Sequence, residues 1–457
     1  MALAAATVWE VRTAGVDDQG GGFVAGAAGT DYSQANAKRT ATGTDDSTVD
    51  AVANGTTTLT SATANFQASI VGNIICLSGG TGTLAKGWYQ VTVRTNATTI
   101  TLDRTVAAGT GITMNIGGAL ASPGMIGGTG LVTGNYIWIK AGTYTVTSAS
   151  TNISGGCLSL GSQAVYIEGY NAARGDLGTK PLIQTNGAIT TFTFINQGTN
   201  GQQFVRNIEF DGNSRSLSVG CGIRGWVYAC KFSNFTNSAI LGGSLVLPIA
   251  VDCYATGCSA AVVFNAINCV NCVGADNTFT AFHAGSADCF YIRCLADTNT
   301  GATSDGFSGS AAAEKQFYVN CVAYANGRHG FFMNGQRGCT AINCLSESNV
   351  GTGYLHNSNI QISLFNCGAF GNATDFNIGT NSGSWSIAPV TGTGSFFTNA
   401  SAQDFTLNNT AGAGAAARAA GIPGTLLGLT TPVGYLDMGV YQHQDPAGGS
   451  SAHSAVF

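Results

Sequence analysis

Two carboxylates, Asp297 and Glu347, and the phenol of Tyr324 stand three residues past Cys294, Cys344 and Cys321. If each cysteine marks one coil of a stacked structure, the two acids lie two rungs apart, roughly 9–10 Å between backbones. Carboxyl groups about 6.5–9.5 Å apart suit an inverting glycosidase, one as general acid and the other activating water. Tyr324 between them would stack on a sugar ring, making it the candidate ligand-binding residue. The same position in other repeats holds Thr256, Ala275 and Phe370, so an ordinary solvated column, free to vary, is the competing reading.

Other chemistries have less behind them. A polyuronate lyase needs a basic residue to remove a proton and a cation to neutralise the substrate carboxylate. Arg206, Arg224, Arg293 and Arg328 are available, but no acidic cluster suited to calcium accompanies them. The stretch "CVNC", 269–272, resembles half a zinc knuckle without its second pair. No motif places a nucleophile beside His283, His329, His356, His443 or His453. Neither a metal nor a cofactor is expected.

The elements that would position these residues repeat. Aligned on Cys253, Cys272, Cys294, Cys321, Cys344 and Cys367, the segments read "IAVDCYATGC", "CVNCVGADN", "FYIRCLADTN", "FYVNCVAYAN", "TAINCLSESN" and "SLFNCGAFGN". The cysteines are 19, 22, 27, 23 and 23 residues apart, a period of one coil. Five residues after the cysteine come Asn277, Asn299, Asn326, Asn349 and Asn372, with Cys258 in that place in the first repeat. Asparagine tolerates a left-handed backbone, and its amide can bond to the asparagine one rung above. A turn with a side-chain ladder is therefore expected there. Short strands such as "GFFMNG" and "GYLHNS" follow each turn, too short to fold except by stacking. Period-two alternation puts Val319, Cys321 and Ala323 inside, with Val270, Ile292, Ile342 and Phe365 beside the cysteine column. The next position is also apolar, at Val273, Leu295, Val322 and Leu345. Either a bend flips the parity there, or an outward column is covered at an interface between chains.

Composition narrows the rest. The 457 residues include 65 Gly and are 44% hydrophobic but only 9% charged, with a formal net charge of -5. The chain has no apolar run of membrane-spanning length and no basic cluster, so neither membrane insertion nor nucleic-acid binding is expected. The opening "MALAAATVWEVRT" lacks a basic n-region, and its apolar run stops at Glu10; it does not read as a signal peptide. Fourteen cysteines in this length fit buried thiols made in a reducing cytoplasm better than a disulfide scaffold.

Taken together, the repeats, the opening "WEVRTAGVDDQGGGF", the segments "ALASPG" and "GNYIWIKAGTYTV", the coils "VYIEGYNAARGDLGTKPLI" and "FVRNIEFDGN", and the closing "DFTLNNTAGAGAAARAAG" and "YLDMGVYQ" resemble the right-handed parallel β-helix proteins of the pectate-lyase-like class. Among these they resemble bacteriophage virion β-helix proteins and tailspikes. The resemblance implies an all-β fold: a single-stranded parallel β-helix over 117–384, preceded by a strand and arm over 1–29 and followed by a closing segment and tail over 385–457. Residues 30–116 depart from the pattern with alternating strands and no coil-length repeat, and read as a small inserted β-domain.

Two function classes follow from the resemblance. One is a structural protein of a phage particle, a capsid decoration, head fibre or tail spike, working as a homotrimer with other virion proteins, with a host-surface glycan as a further partner. The other is a β-helix enzyme, a glycoside hydrolase or lyase, acting on that glycan. Lack of an export signal and scarcity of charge favour the first, made in the host cytoplasm and resident in the virion.

Overall fold

The computed structural model describes residues 3–82, 84–146, 158–159, 163–186, 193–196, 202–214, 219–223, 225–242, 248–259, 263–285, 288–309, 315–334, 338–356, 361–378, 385–387, 389–418, 420–421 and 437–441. The chain forms two compact units, 1–211 and 212–457. Among the described residues no helix is long and apolar enough to cross a membrane.

In the first unit Thr7–Val11 pairs antiparallel with Gly22–Val24 and parallel with Tyr136–Lys140. Val165–Tyr170 and Gln203–Arg206 continue this first sheet in parallel register. Thr143–Val146, Leu182–Thr185 and Glu209–Asp211 stack as a second sheet. Leu158–Ser159 and Thr193–Asn196 belong to a third. Inserted between the opening strand and the first coil, six strands between Thr48 and Ile116 close into an antiparallel barrel. Alternation of apolar with polar residues builds it: Leu59, Ile75, Leu77, Ile100, Ile112 and Met114 point inward around Phe66. Arg174 holds the coil to the approach of the barrel, bonding Glu10 at 2.8 Å, Asp31 at 3.0 Å and Ser33 at 3.1 Å.

The second unit repeats the three-sheet coil. In one coil Gln316–Val319, Val322–Tyr324 and Phe331–Met333 contribute to the three sheets in turn. Each strand pairs in parallel with its counterparts one coil before and one coil after. Inside the third sheet Phe264, Phe282, Phe307, Phe331, Tyr354 and Phe376 stack with centroids 4.8 to 5.2 Å apart. That is one ring per rung, so stacking reinforces the backbone spacing.

The corners explain a correction. The residue before each cysteine is left-handed, including Asp252, Asn271, Arg293, Asn320, Asn343 and Asn366 at φ between 49° and 55°. One such residue between two strands breaks the two-residue alternation. Cysteines remain inside, but the column preceding them inward is Cys269, Tyr291, Tyr318, Ala341 and Leu364. Val270, Ile292, Val319, Ile342 and Phe365, all expected inside, lie on the opposite face, Val319 buried there and the other four half-buried. The second corner departs from expectation in the same way. Its left-handed residue is not the ladder asparagine but the one before it, Asp276, Thr298, Ala325, Ser348 and Gly371.

The asparagine amides then turn inward and bond in series. Asn277 donates to Asn299 at 2.9 Å, Asn299 to Asn326 at 2.8 Å, Asn326 to Asn349 at 2.8 Å and Asn349 to Asn372 at 2.7 Å. The cysteine column is made of buried free thiols at Cys253, Cys272, Cys294, Cys321, Cys344 and Cys367. Several donate to a carbonyl of the preceding coil, Cys321 to Tyr291 at 3.3 Å and Cys272 to Ala250 at 3.4 Å.

Candidate functional site

Parallel register places Asp297, Tyr324 and Glu347 in one column on the second sheet, one rung apart in that order. They share the outer face with Val273, Leu295, Val322 and Leu345, and that face is covered by the chain's own C-terminal segment. The hairpin of Phe397–Asn399 and Asp404–Leu407 lies on it with Phe396, Ala417, Met438 and Val440. Of the alternatives posed by the apolar position after the cysteine, the covered outward column therefore holds, with the cover supplied by the same chain rather than another; the left-handed corner falls one residue before the cysteine and does not turn Val273, Leu295, Val322 and Leu345 inward.

The cover is held by hydrogen bonds as well as apolar contact. The Asn320 amide donates to the carbonyls of Asp437 at 3.1 Å and Gly439 at 3.2 Å, and the Gly439 N–H donates to the Asn343 carbonyl at 2.7 Å. Gly439, at φ +88°, passes so close to Leu345 and Val322 that a Cβ would sit 3.0 and 3.1 Å from their methyl groups. Only glycine lets the strap lie that near.

Beneath this cover Asp297 is 3% and Glu347 2% exposed. A Glu347 oxygen accepts the Phe396 N–H at 2.9 Å, and Asp297 accepts the Thr298 hydroxyl. Tyr324 packs edge-on against Phe397 and Phe405 with centroids 6.1 and 5.4 Å away. The ring that a sugar would need is occupied by the chain itself. Burial pushes the Asp297 carboxyl up to about 6, with a further push from Asp276 and an opposing pull from the Thr298 hydroxyl. Glu347 is also raised by burial, against the bonds from Ser395 and the Phe396 N–H.

A pH dependence follows. The folded state holds the Asp297 proton more tightly than the unfolded chain, so this group favours folding when neutral. Its contribution is lost as pH rises through about 4 to 6 and stays lost above that. Asp297→Asn is expected to flatten this part of the pH profile and to raise stability at pH 7.5 by on the order of 2 kcal/mol. Urea midpoints of both proteins at pH 4.5 and 7.5 check it. Equal slopes in the two proteins would show that Asp297 is not held under an apolar cover.

The other candidates lie apart. Arg206 faces Glu168 at 3.5 Å, Arg293 Nε reaches the Val440 carbonyl at 3.5 Å, and Arg328 pairs with Asp305; Arg224, His443 and His453 lie outside the described residues. Cys269 and Cys272 of "CVNC" are buried in the coil, where each thiol donates to a backbone carbonyl. The described residues gather no group of three or more His, Cys, Asp or Glu fit for a metal. A contact not legible in the sequence is His283 Nδ1 with the Ser308 hydroxyl at 2.8 Å. Ser308 is buried, and the nearby Asp305 carboxylate is held by Arg328 and the His329 N–H, an arrangement of packing rather than of a nucleophile open to substrate. A recess of about 130 Å³ in the first unit, lined by Thr13, Ser122, Thr143, Tyr144 and neighbours, carries no carboxylate or histidine.

Among solved structures, pectate lyase Pel9A matches over 72% of this chain and 92% of its own, with a TM-score of 0.50 and 16% identity. The fold is a parallel β-helix. The A-module of an Azotobacter vinelandii mannuronan C-5 epimerase matches over 60% of this chain and 77% of its own, at 16% identity and a TM-score of 0.33. The ORF18 protein of Geobacillus virus E2 matches over 56% of this chain and 52% of its own, at 9% identity and a TM-score of 0.33. No protein-family model and no curated protein matches the chain. At such identities the likeness concerns architecture, and one architecture hosts many activities.

Proposed function

We propose that the protein is a structural component of a bacteriophage particle, a β-helix used as a capsid decoration, head fibre or tail spike. In this reading it works as a homotrimer, contacts other virion proteins and presents its surface toward a host-surface glycan. The observation that carries the reading is the covered second sheet. The carboxylate pair best spaced for glycan hydrolysis lies beneath the chain's own C-terminal segment, with Tyr324 packed against its phenylalanines. A column of buried thiols in the coil adds support, since it suits synthesis in a reducing compartment.

The test has two arms. Antibody against the protein should label intact particles of the phage that encodes it, and the purified protein should leave host-surface polysaccharide at its original length. Absence from washed particles would overturn the virion assignment. Shortening of the polysaccharide by the wild type, lost in Asp297→Asn with Glu347→Gln, would replace it with the glycosidase reading.

A further inference from the structure

The thiol column of the 212–457 unit is longer than the aligned repeats show. Pairing of Lys231–Ser233 with Tyr254–Thr256 puts Cys230 beside Cys253, one rung before the six aligned cysteines. The same register carries on through Cys272, Cys294, Cys321, Cys344 and Cys367, because the residues that follow each cysteine pair one to one from coil to coil. The cysteines thus stand on successive rungs, about 4.8 Å apart between backbones, and every one of them is buried. Their side chains approach as closely as their backbones. The Cys321 N–H donates to the Cys344 sulfur at 3.5 Å, Cys294 lies within hydrogen-bond reach of both Cys272 and Cys321, and Cys344 of both Cys321 and Cys367.

Disulfide-bonded cysteines have Cα atoms roughly 4.4–6.8 Å apart. Every neighbouring pair in the column meets that requirement, and pairs two rungs apart, at roughly 9–10 Å, do not. Cys289 and Cys339 provide a contrast inside the same coil. Both are buried on the first sheet, but Gln316 stands on the rung between them.

We infer that this column is a redox-sensitive staple, holding thiols in a reducing compartment and forming disulfides between successive rungs once a peroxide reaches it. The inference rests on the virion reading for its setting, since a particle is built inside a cell and works outside it. In the first step one sulfur displaces an oxygen of hydrogen peroxide and becomes a sulfenic acid; the thiol proton leaves with the displaced hydroxide as water. The thiol one rung away then attacks that sulfur, the S–S bond forms, and the sulfenic hydroxyl leaves with the second thiol proton as another water. Two thiols are oxidised and one peroxide is reduced.

Burial pushes the Cys321, Cys344 and Cys367 thiols up, and only a thiolate attacks peroxide. Reaction therefore waits on local opening of a coil and is slow. Once one sulfur is oxidised, a partner already stands beside it, so condensation outruns further oxidation. Closing the bond draws two Cβ atoms from rung spacing to the roughly 3.5–4.5 Å of a disulfide, a strain that leaves it open to reduction by a dithiol. An odd number of members leaves one thiol over, whichever neighbours bond.

The test is a disulfide map of the full-length protein after treatment with hydrogen peroxide, made by alkylation, digestion without reduction and mass spectrometry. Links are expected only between neighbours, such as Cys253 with Cys272 and Cys344 with Cys367, and none between Cys289 and Cys339. The urea midpoint should rise with the links, and both changes should revert in dithiothreitol. In Cys321→Ala, Cys294 should not join Cys344; because that variant could fold less well, the wild-type map decides. Thiols that all stay reduced, sulfinic acids in place of links, or links between cysteines more than one rung apart overturn the inference and leave the virion reading to particle labelling. Links in the purified protein that are missing from washed, antibody-labelled particles overturn the role outside the cell while the virion assignment stands. Links in a protein absent from particles keep the staple and overturn its setting.

Discussion

Asn326→Ala is expected to lower the unfolding free energy by about 3 kcal/mol, from the loss of several buried hydrogen bonds at once. The Asn326 amide donates to Asn349 at 2.8 Å and to the Ala296 carbonyl at 3.2 Å, while its oxygen accepts from Asn299 at 2.8 Å. All of these groups are buried, so alanine leaves an amide hydrogen of Asn299 and the Ala296 carbonyl without water to replace the lost partner. Asn326→Asp should be no better, since a carboxylate cannot donate to Asn349 and brings charge into the coil. Asn372 closes the ladder at a half-buried position, where water can substitute, and its alanine variant is expected to cost about 1 kcal/mol. Urea denaturation of the three variants provides the comparison. Equal small losses at Asn326 and Asn372 would mean that the ladder is an alignment of amides without energetic weight.

The ladder was legible because one residue type recurred at one spacing from a cysteine. Facing was not, and the reason lies in the corners. Left-handed backbone at Arg293, Thr298, Ala325 and Ser348 carries no glycine or asparagine to announce it; the stacked coil imposes it. Because a single such residue reverses alternation, Val270, Ile292, Ile342 and Phe365 read as interior although they lie on the outer face. The candidate site failed to reach solvent for a different reason. Register alone brings Asp297, Tyr324 and Glu347 into a column, and that much followed from the repeat. Their cover comes from Phe396, Phe397, Phe405 and Met438, separated from them by many residues, and no local pattern links these to the column. The apolar run Val273, Leu295, Val322 and Leu345 was the trace in the sequence that something covers that face.

Phe307 and Phe317 separate what holds the coil together from what the coil leaves exposed. Phe307 is fully buried, stacked 4.8 Å from both Phe282 and Phe331 and edge-on to Tyr291 and Tyr318. Its replacement by alanine empties a ring-sized space that neighbouring coils cannot close, because their spacing is set by backbone bonds. A loss of about 3–5 kcal/mol is expected. In a stacked repeat the damage should be local, with faster hydrogen exchange in the strands Phe282–His283 and Phe331–Met333 than in distant coils. Phe317, ten residues along and 41% exposed, stands on the outer face of the first sheet in register with Phe290 and Thr340. If copies meet on its face, the stability lost in Phe317→Ala must depend on protein concentration, because association and folding are then linked. The loss in Phe307→Ala should carry over from dilute to concentrated samples almost unchanged. Melting both variants across a hundredfold range of concentration distinguishes the two. A Phe317→Ala loss as large and as independent of concentration as that of Phe307→Ala would place this ring in the fold rather than at a contact between chains.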